Sequence, residues 1–324
     1  MDPALFLADL EEKPRRLREL AGSVRDRDTW AGVVDTLDVP VVLLGMGSSH
    51  YANQVAAARL RATGVAAVAE LAAADLLPRL TSDTLVVAVS ASGGSRETLD
   101  AVRRLRADDR GVTYVALSNR ESTELGSLCD AVVPMLAGEE RGGVACRSFQ
   151  HTLALFLALE ARLTGADVPS LLERCAEATT YLLETRDQWL PDVCDALLGP
   201  DGTHVVAPAR RLSSAVQSAL MLREGPRLPA VGCETADWSH VDVYLTRTTD
   251  YRMLLFPGSR WEDELLGWVR ERGSTLVAVG ADVPGAALTV RYPHDDVDDV
   301  RLLTETLVAE LAAARVWGLT GSPA

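Results

Sequence analysis

Short apolar runs, each followed by a polar turn and a stretch with helical periodicity, set the plan of this chain. The clearest is Leu85-Val-Val-Ala-Val89, which gives way to Ser90-Ala-Ser-Gly-Gly-Ser95. Beyond it Leu99, Val102 and Leu105 fall on one face at helical spacing, with Arg103, Arg104 and Arg106 off that face. The pattern predicts a buried parallel strand, a tight turn and an amphipathic helix. Such a turn sets Ser90, Ser92 and Ser95 beside the free N–H groups and positive dipole end of a helix, an arrangement that suits a phosphate. It has neither the GxxxxGK[ST] of a P-loop nor the GxGxxG of a dinucleotide site.

A second unit of the same kind precedes it. The strand Pro40–Gly45 leads into Gly45-Met-Gly-Ser-Ser-His50, and the alanine-rich stretch 52–62 reads as a helix. Further strands are predicted at 65–69, 112–117 and 131–135, with helices at 71–78 and 148–163 and a loop with a short helix over 118–125. Strands alternating with crossovers specify a doubly wound parallel sheet, which binds ligands at the carboxyl ends of its strands. Gly47, Ser48 and Ser49 would share that edge with Ser90, Ser92 and Ser95. Upstream, residues 4–29 read as a helix broken near Pro14.

The second half repeats the plan more loosely. A helix is predicted over 168–188, with Pro191 and Gly199-Pro-Asp-Gly202 as punctuation. Strands follow at 204–207, 252–256, 275–279 and 287–290, with helices at 212–224, 260–272 and 297–317. Its counterpart of the serine turn, Pro208-Ala-Arg-Arg-Leu-Ser-Ser214, has no glycine, and Arg210 and Arg211 read as a solvated loop, with contact to an anion as the alternative. The halves look duplicated, the first having kept the anion pocket.

Composition narrows the class. The 324 residues allow two domains with a core each, and 48% of them are hydrophobic. A net charge of -14 argues against nucleic acid or an anionic membrane as partner, so an anionic substrate must be held by local donors. Of 32 Lys plus Arg, Lys13 is the one lysine, which leaves almost none for Schiff-base chemistry. Five cysteines without CxxC spacing, an acidic N-terminus unlike a signal peptide, and the lack of a long apolar run predict a soluble, cytoplasmic protein with reduced thiols.

The motifs then resemble a known family. Ser90-Ala-Ser-Gly-Gly-Ser95 is similar to the SxSGxT/S phosphosugar signature of sugar-isomerase (SIS) domains. Gly45-Met-Gly-Ser-Ser-His-Tyr-Ala52 resembles their first glycine/serine loop, and Ala137-Gly-Glu-Glu-Arg-Gly-Gly-Val-Ala145 their later substrate loop. Phe6 and Asp9-Leu-Glu-Glu-Lys-Pro14 look like the opening helix of the isomerase half of glucosamine-6-phosphate synthase and of free-standing fructosamine-6-phosphate deglycases. The resemblance implies an α/β fold of two tandem SIS subdomains, each a flavodoxin-like five-stranded parallel sheet flanked by helices. The expected division is an N-terminal helical segment 1–38, a first domain 39–165 and a second 166–324. It also implies that Gly47, Ser48, Ser49, Ser90, Ala91, Ser92, Gly93, Ser95 and Val144 hold a sugar phosphate. Glu224 then falls at the family's catalytic glutamate and His240 at its histidine, which in relatives reaches the neighbouring subunit's pocket. A homodimer with composite sites is the expectation.

Two departures bear on the reaction. Met221 stands where aminotransferring relatives have a lysine, and no lysine follows in the tail Gly318–Ala324. With no glutaminase segment before the SIS region either, full glucosamine-6-phosphate synthesis is not expected. The expected chemistry is proton transfer between C1 and C2 of a ketosamine or hexose 6-phosphate, as deglycase or isomerase. Glu224 would be the base and His240 the ring-opening acid, with no metal or cofactor required. The alternative is a non-catalytic phosphosugar sensor. Each assignment has a plain rival: serines after a strand are often turn and helix-cap residues, and a glutamate at a helix end is often only exposed.

Overall fold

A computed structural model describes residues 1–33, 37–107, 111–120 and 122–320. Glu121, inside the predicted 118–125 loop, and the last four residues of the tail lie outside the described residues.

Among the described residues, ten strands form two all-parallel sheets of five. The first sheet contains β1 (Val41–Gly45), β2 (Ala67–Leu71), β3 (Leu85–Val89), β4 (Thr113–Ser118) and β5 (Ala131–Pro134), in the order β2-β1-β3-β4-β5. The second contains β6 (Thr203–Ala207), β7 (Ala230–Glu234), β8 (Arg252–Leu255), β9 (Thr275–Val279) and β10 (Leu288–Val290), in the order β10-β9-β8-β6-β7. Both are α/β sheets flanked by helices, as the sequence pattern specified. The central strands β1, β3 and β6 are buried along their whole length, which is why they read as unbroken apolar runs.

Two compact units result. One comprises residues 16–139 and 147–172 and carries the first sheet. The other comprises residues 1–15, 140–146 and 173–324 and carries the second. The first fifteen residues and the loop 140–146 thus group with the second sheet, where the sequence expectation drew boundaries at 39 and 166. The contacts give the reason. The Gly142 N–H donates to the buried Asp9 carboxylate (2.7 Å), and the Asp2 N–H donates to the Gly142 carbonyl (3.2 Å). A Cβ on Gly142 would lie 2.5 Å from the Phe6 α-carbon, so only glycine lets the loop lie on this helix. The Phe6…Asp9 motif is the seat of that loop.

The opening helix breaks near Pro14 as expected, into Pro3–Glu11 and Lys13–Asp26. Other local expectations are corrected. No helix forms over 71–78: β2 runs to Leu71, and the Arg104 guanidinium holds the Ala74 and Asp75 carbonyls at 3.0 and 2.7 Å. Pro78 also keeps Leu77 out of helical backbone. Pro191 does not punctuate, because the helix Arg186–Leu197 runs through it at the cost of one backbone bond. The helix expected over 297–317 is two, Asp298–Thr304 and Thr306–Thr320, meeting at the buried Glu305.

β7 had no sequence signal: it is a short edge strand with a glycine at its centre. That glycine is required. The helix Leu212–Glu224 lies so close on β7 that a Cβ at Gly232 would be 2.7 Å from the Val216 α-carbon.

Candidate active site

In the first-sheet unit, β1 and β3 are adjacent and parallel, with Leu44 paired to Ala88. The chain leaves β1 towards β2 on one side, while β3 lies on the other, so the carboxyl ends of β1 and β3 form the switch point of the sheet. The two serine loops leave from those ends and are therefore neighbours.

After β1, Gly47 takes φ 51° and ψ −127° and starts the helix Ser48–Ala62 without a side-chain cap. A Cβ at Gly45 would lie 2.9 Å from both the Ser49 Cβ and the Asn53 Nδ2, so glycine is needed where the turn closes on the strand. Below the loop, Asn53 is fully buried with neither side-chain polar atom hydrogen-bonded, and His50 Nδ1 is likewise unpartnered. Burial lowers the His50 pKa, partly offset by its contacts with Glu70, and favours a neutral imidazole.

After β3, Ser90 is buried, and its N–H donates to the Leu117 carbonyl (3.1 Å). The Ala91 carbonyl accepts from the Asn119 N–H (3.1 Å), tying the loop to the end of β4. Ser92 is exposed, and its Oγ accepts from the Gly94 N–H (3.2 Å). Gly93 has φ +65°, and a Cβ there would be 2.4 Å from the Thr123 side chain. Ser95 is the N-cap of the helix Arg96–Arg106: its Oγ accepts from the Thr98 N–H (3.4 Å) and contacts Glu97 Oε2 (3.1 Å). The helix-cap reading of Ser95 is therefore right as far as it goes, and the two loops leave Ser48, Ser49, Ser92 and Ser95 at least partly exposed.

A cavity of about 720 Å³ opens beside this loop, between Ala72, Asp75, Arg96, Glu97, Asp100 and Arg104. Its carboxylates suit a phosphate badly. The serine loops, with main-chain donors and the helix N-termini, are the better anion cradle.

In the second-sheet unit, Glu224 ends the helix Leu212–Glu224. Desolvation, and then the negative charge of Glu140, raise its pKa above that of an ordinary glutamate. Glu140 lies in the 140–146 loop, and its Oε1 accepts the Cys146 N–H (2.7 Å). Sequence reasoning quoted Glu140 without giving it a role; two adjacent glutamates amid glycines were the available signal. Val144 in the same loop is buried, so its main chain is what it can offer a ligand.

The network extends further. Glu310 is fully buried and paired with Lys13, which is almost as buried. Burial raises the Glu310 pKa, Lys13 lowers it, and Glu140 adds a smaller upward push. The one lysine of the chain thus belongs to the electrostatic surroundings of the catalytic-glutamate candidate.

His240 is placed elsewhere. The helix Leu212–Glu224 runs antiparallel to the strands, so Glu224 sits at the amino edge of the sheet. β7 then crosses the sheet, and His240 follows its carboxyl end on an exposed turn, its N–H donating to the Asp237 carbonyl (2.9 Å). Five strand residues separate the two groups by roughly 13 Å or more along the strand direction.

Arg211, expected in a solvated loop, is instead fully buried, with Glu305 and Asp298 as partners. Among the described residues, no three His, Cys, Asp or Glu side chains come together as a metal-ligand set, and no helix is long and apolar enough to cross a membrane. Among the described residues no disulfide joins the cysteines, and burial pushes the Cys129 and Cys233 thiols up to about 12, which keeps them unreactive.

With this geometry in view, comparison with known proteins is informative. Residues 40–162 match the family model of the SIS domain. The match covers the first sheet and is to a SIS domain. Both serine loops lie inside the matched stretch. The glutamine–fructose-6-phosphate aminotransferase (isomerizing) of Leifsonia xyli subsp. xyli is 26% identical over 244 residues, covering 67% of this chain and 38% of that protein. The chain therefore spans less than half the length of such curated relatives. Among solved structures, the C-terminal domain of glucosamine-fructose-6-phosphate aminotransferase from Francisella tularensis has a TM-score of 0.77 at 17% identity, covering 98% of this chain and 96% of that one. The tagatose-6-phosphate ketose/aldose isomerase of Escherichia coli has a TM-score of 0.79 at 17% identity, covering 98% and 93%. These structures share the two-sheet fold over nearly the whole chain.

Proposed function

We propose that this protein is a phosphosugar enzyme that moves a proton between C1 and C2 of a ketosamine or hexose 6-phosphate, as a fructosamine-6-phosphate deglycase or an aldose–ketose isomerase. The observation that carries the reading is Glu224, a partly desolvated carboxylate whose pKa is raised and whose neighbour Glu140 raises it further. A carboxylate with a raised pKa is a stronger base, better suited to taking and returning a carbon-bound proton. The names of the relatives point to the same substrate class: fructose 6-phosphate in one, tagatose 6-phosphate in another.

In the proposed chemistry the serine loops hold the 6-phosphate through Ser48, Ser49, Ser90, Ser92 and the main chain of Ala91 and Gly93. Glu224 removes the C1 proton of the open-chain ketose or ketosamine, leaving an enediol or enaminol. It then delivers a proton to C2. For a hexose the product is the aldose. For a ketosamine it is a C1 imine, which water splits into the aldose phosphate and the free amine. His240 supplies the proton exchange at the ring oxygen. Because Glu224 and His240 stand at opposite edges of one sheet, His240 acts in the site of a second copy, and the working unit is a homodimer.

The test is an NMR-monitored incubation in deuterated water with fructose 6-phosphate, glucosamine 6-phosphate and a 6-phosphorylated fructosamine. Turnover of one of them, with deuterium entering at C2 of an aldose product or at C1 of a ketose product, supports the reading. Absence of turnover and exchange with all three, or full activity in Glu224→Gln, overturns it.

A further inference from the structure

One buried side chain beneath the first serine loop has no hydrogen-bonding role in the fold. The helix Ser48–Ala62 buries Ala52, Val55, Ala56 and Leu60, an apolar set, and places Asn53 among them. Asn53 is 0% exposed, and among the described residues neither its Oδ1 nor its Nδ2 has a hydrogen-bond partner. A buried amide without partners lowers the stability of the folded chain, and a leucine of similar size would carry no such cost. The amide therefore does nothing for the fold that an apolar side chain would not do better.

Its position is what gives it a use. Asn53 follows Ser49 by four residues, on the same face of the helix. The point that a Cβ of Gly45 would occupy is 2.9 Å from Asn53 Nδ2 and 2.9 Å from the Ser49 Cβ. With both atoms that close to one point, a change of rotamer brings the amide to the Ser49 hydroxyl, one bond beyond the Cβ. Gly45, at the carboxyl end of β1, leaves the room in which the two side chains meet. His50 offers no rival donor there. Its contact with the Glu70 main chain uses one ring nitrogen, and Nδ1, the unpartnered one, is an acceptor in the neutral ring that burial favours.

A serine hydroxyl has one hydrogen to give and rotates freely, so alone it is a loosely aimed donor. A second donor that engages its lone pair from the protein side fixes the rotor and turns the O–H outward. We propose that Asn53 is a positioning residue of the phosphate cradle: with a phosphate monoester bound, its Nδ2 donates to Ser49 Oγ, and the Ser49 hydroxyl donates to a phosphate oxygen. In such a chain each bond polarises the next, and the negative charge at its end strengthens the whole. The inference rests on the reading of the serine loops as the phosphate site. It does not depend on the roles of Glu224 or His240.

Calorimetric titration with glucose 6-phosphate and with inorganic phosphate tests it in wild type, Asn53→Leu, Ser49→Ala and the double variant. Asn53→Leu should melt at or above the wild-type temperature, since it removes an unpaired buried amide, yet bind both ligands about tenfold more weakly. In the Ser49→Ala background the same substitution should change affinity by less than about twofold, because the amide acts through that hydroxyl. Should Asn53→Leu not fold, the smaller Asn53→Ala is titrated in the same two backgrounds, with the same loss expected. Wild-type affinity in the Asn53 variant, or an undiminished tenfold loss on top of Ser49→Ala, overturns the inference and leaves the serine cradle standing. A wild-type chain that binds neither ligand overturns the cradle reading and this inference together.

Discussion

Glu224 and His240 stand at opposite ends of β7, one before the strand at the amino edge of the second sheet and the other beyond its carboxyl end. A single chain therefore does not present the two groups to one sugar carbon and its ring oxygen. If the enzyme works as a homodimer with shared sites, mixing inactive Glu224→Gln with inactive His240→Asn should restore activity. Random re-pairing puts one intact site in half of the dimers, so recovery should approach about a quarter of wild type. Recovery of nothing, with dimer exchange confirmed by native mass spectrometry, would remove the trans assignment of His240.

The Glu140–Glu224 pair predicts a pH profile. A base must be ionised, so activity is lost as pH falls through the Glu224 pKa, which desolvation and Glu140 both raise. Glu140→Gln keeps an acceptor for the Cys146 N–H and removes the charge. The acid limb of kcat/KM should therefore move to lower pH in that variant. Glu224→Gln itself should lower kcat by about 10²–10⁴-fold. It should not lower the melting temperature at pH 7, because a carboxylate with a raised folded pKa contributes stability at low pH that is lost as pH rises. An acid limb unmoved in Glu140→Gln would mean that the two glutamates are not coupled.

Much of the fold was legible because burial and pattern coincide. The fully buried strands β1, β3 and β6 read directly as valine- and leucine-rich runs, and the helix Leu212–Glu224 was bounded by its apolar spacing and the glycine after it. The unreadable parts depend on contacts between distant residues. β7 exists because Gly232 admits a helix main chain against the strand, and the Arg104 side chain, thirty positions downstream of Ala74, holds the segment expected as a helix. At the site, the serine loops were legible as local turns. The roles of Glu140 and Lys13 were not, since their partners Glu224 and Glu310 lie far along the chain. Arg211 read as a loop residue because its carboxylates come from the last helices.

Gly93 is the residue on which the geometry of the serine loop turns. At φ +65°, with Thr123 2.4 Å from where a Cβ would lie, Gly93→Ala forces both a strained backbone and a shift of the residue that caps the helix Glu124–Leu128. A loss of about 2 kcal/mol of stability is expected in denaturant unfolding. Sugar-phosphate affinity should fall as well, because Ser92 and the Ala91 main chain move with it. Ser95→Ala provides the contrast in stability: loss of a cap should cost about 1 kcal/mol while leaving the turn in place. Sugar-phosphate affinity unchanged in Gly93→Ala would show that the Gly93 turn does not shape the binding loop.

Lys13 and Glu310 form an ion pair with both partners shut away from water, joining the opening of the chain to its final helix. Removing one partner leaves the other charge stranded, so Lys13→Met should destabilise the protein by about 3–5 kcal/mol in denaturant unfolding. Removing both should cost far less, because two apolar side chains of similar volume need no solvation, and Lys13→Met/Glu310→Leu should recover most of the loss. The pair also bears on the site, since Glu140 acts on both Glu310 and Glu224. In the double variant the buried carboxylate is gone and Glu140 has one fewer negative neighbour, while the charge of Glu140 on Glu224 is unchanged. Stability should thus respond strongly to the single change and weakly to the double, and the acid limb of kcat/KM in the double variant should stay near its wild-type position. A double variant as unstable as Lys13→Met would show that the packing of these side chains, and not their charges, holds the first helix to the last.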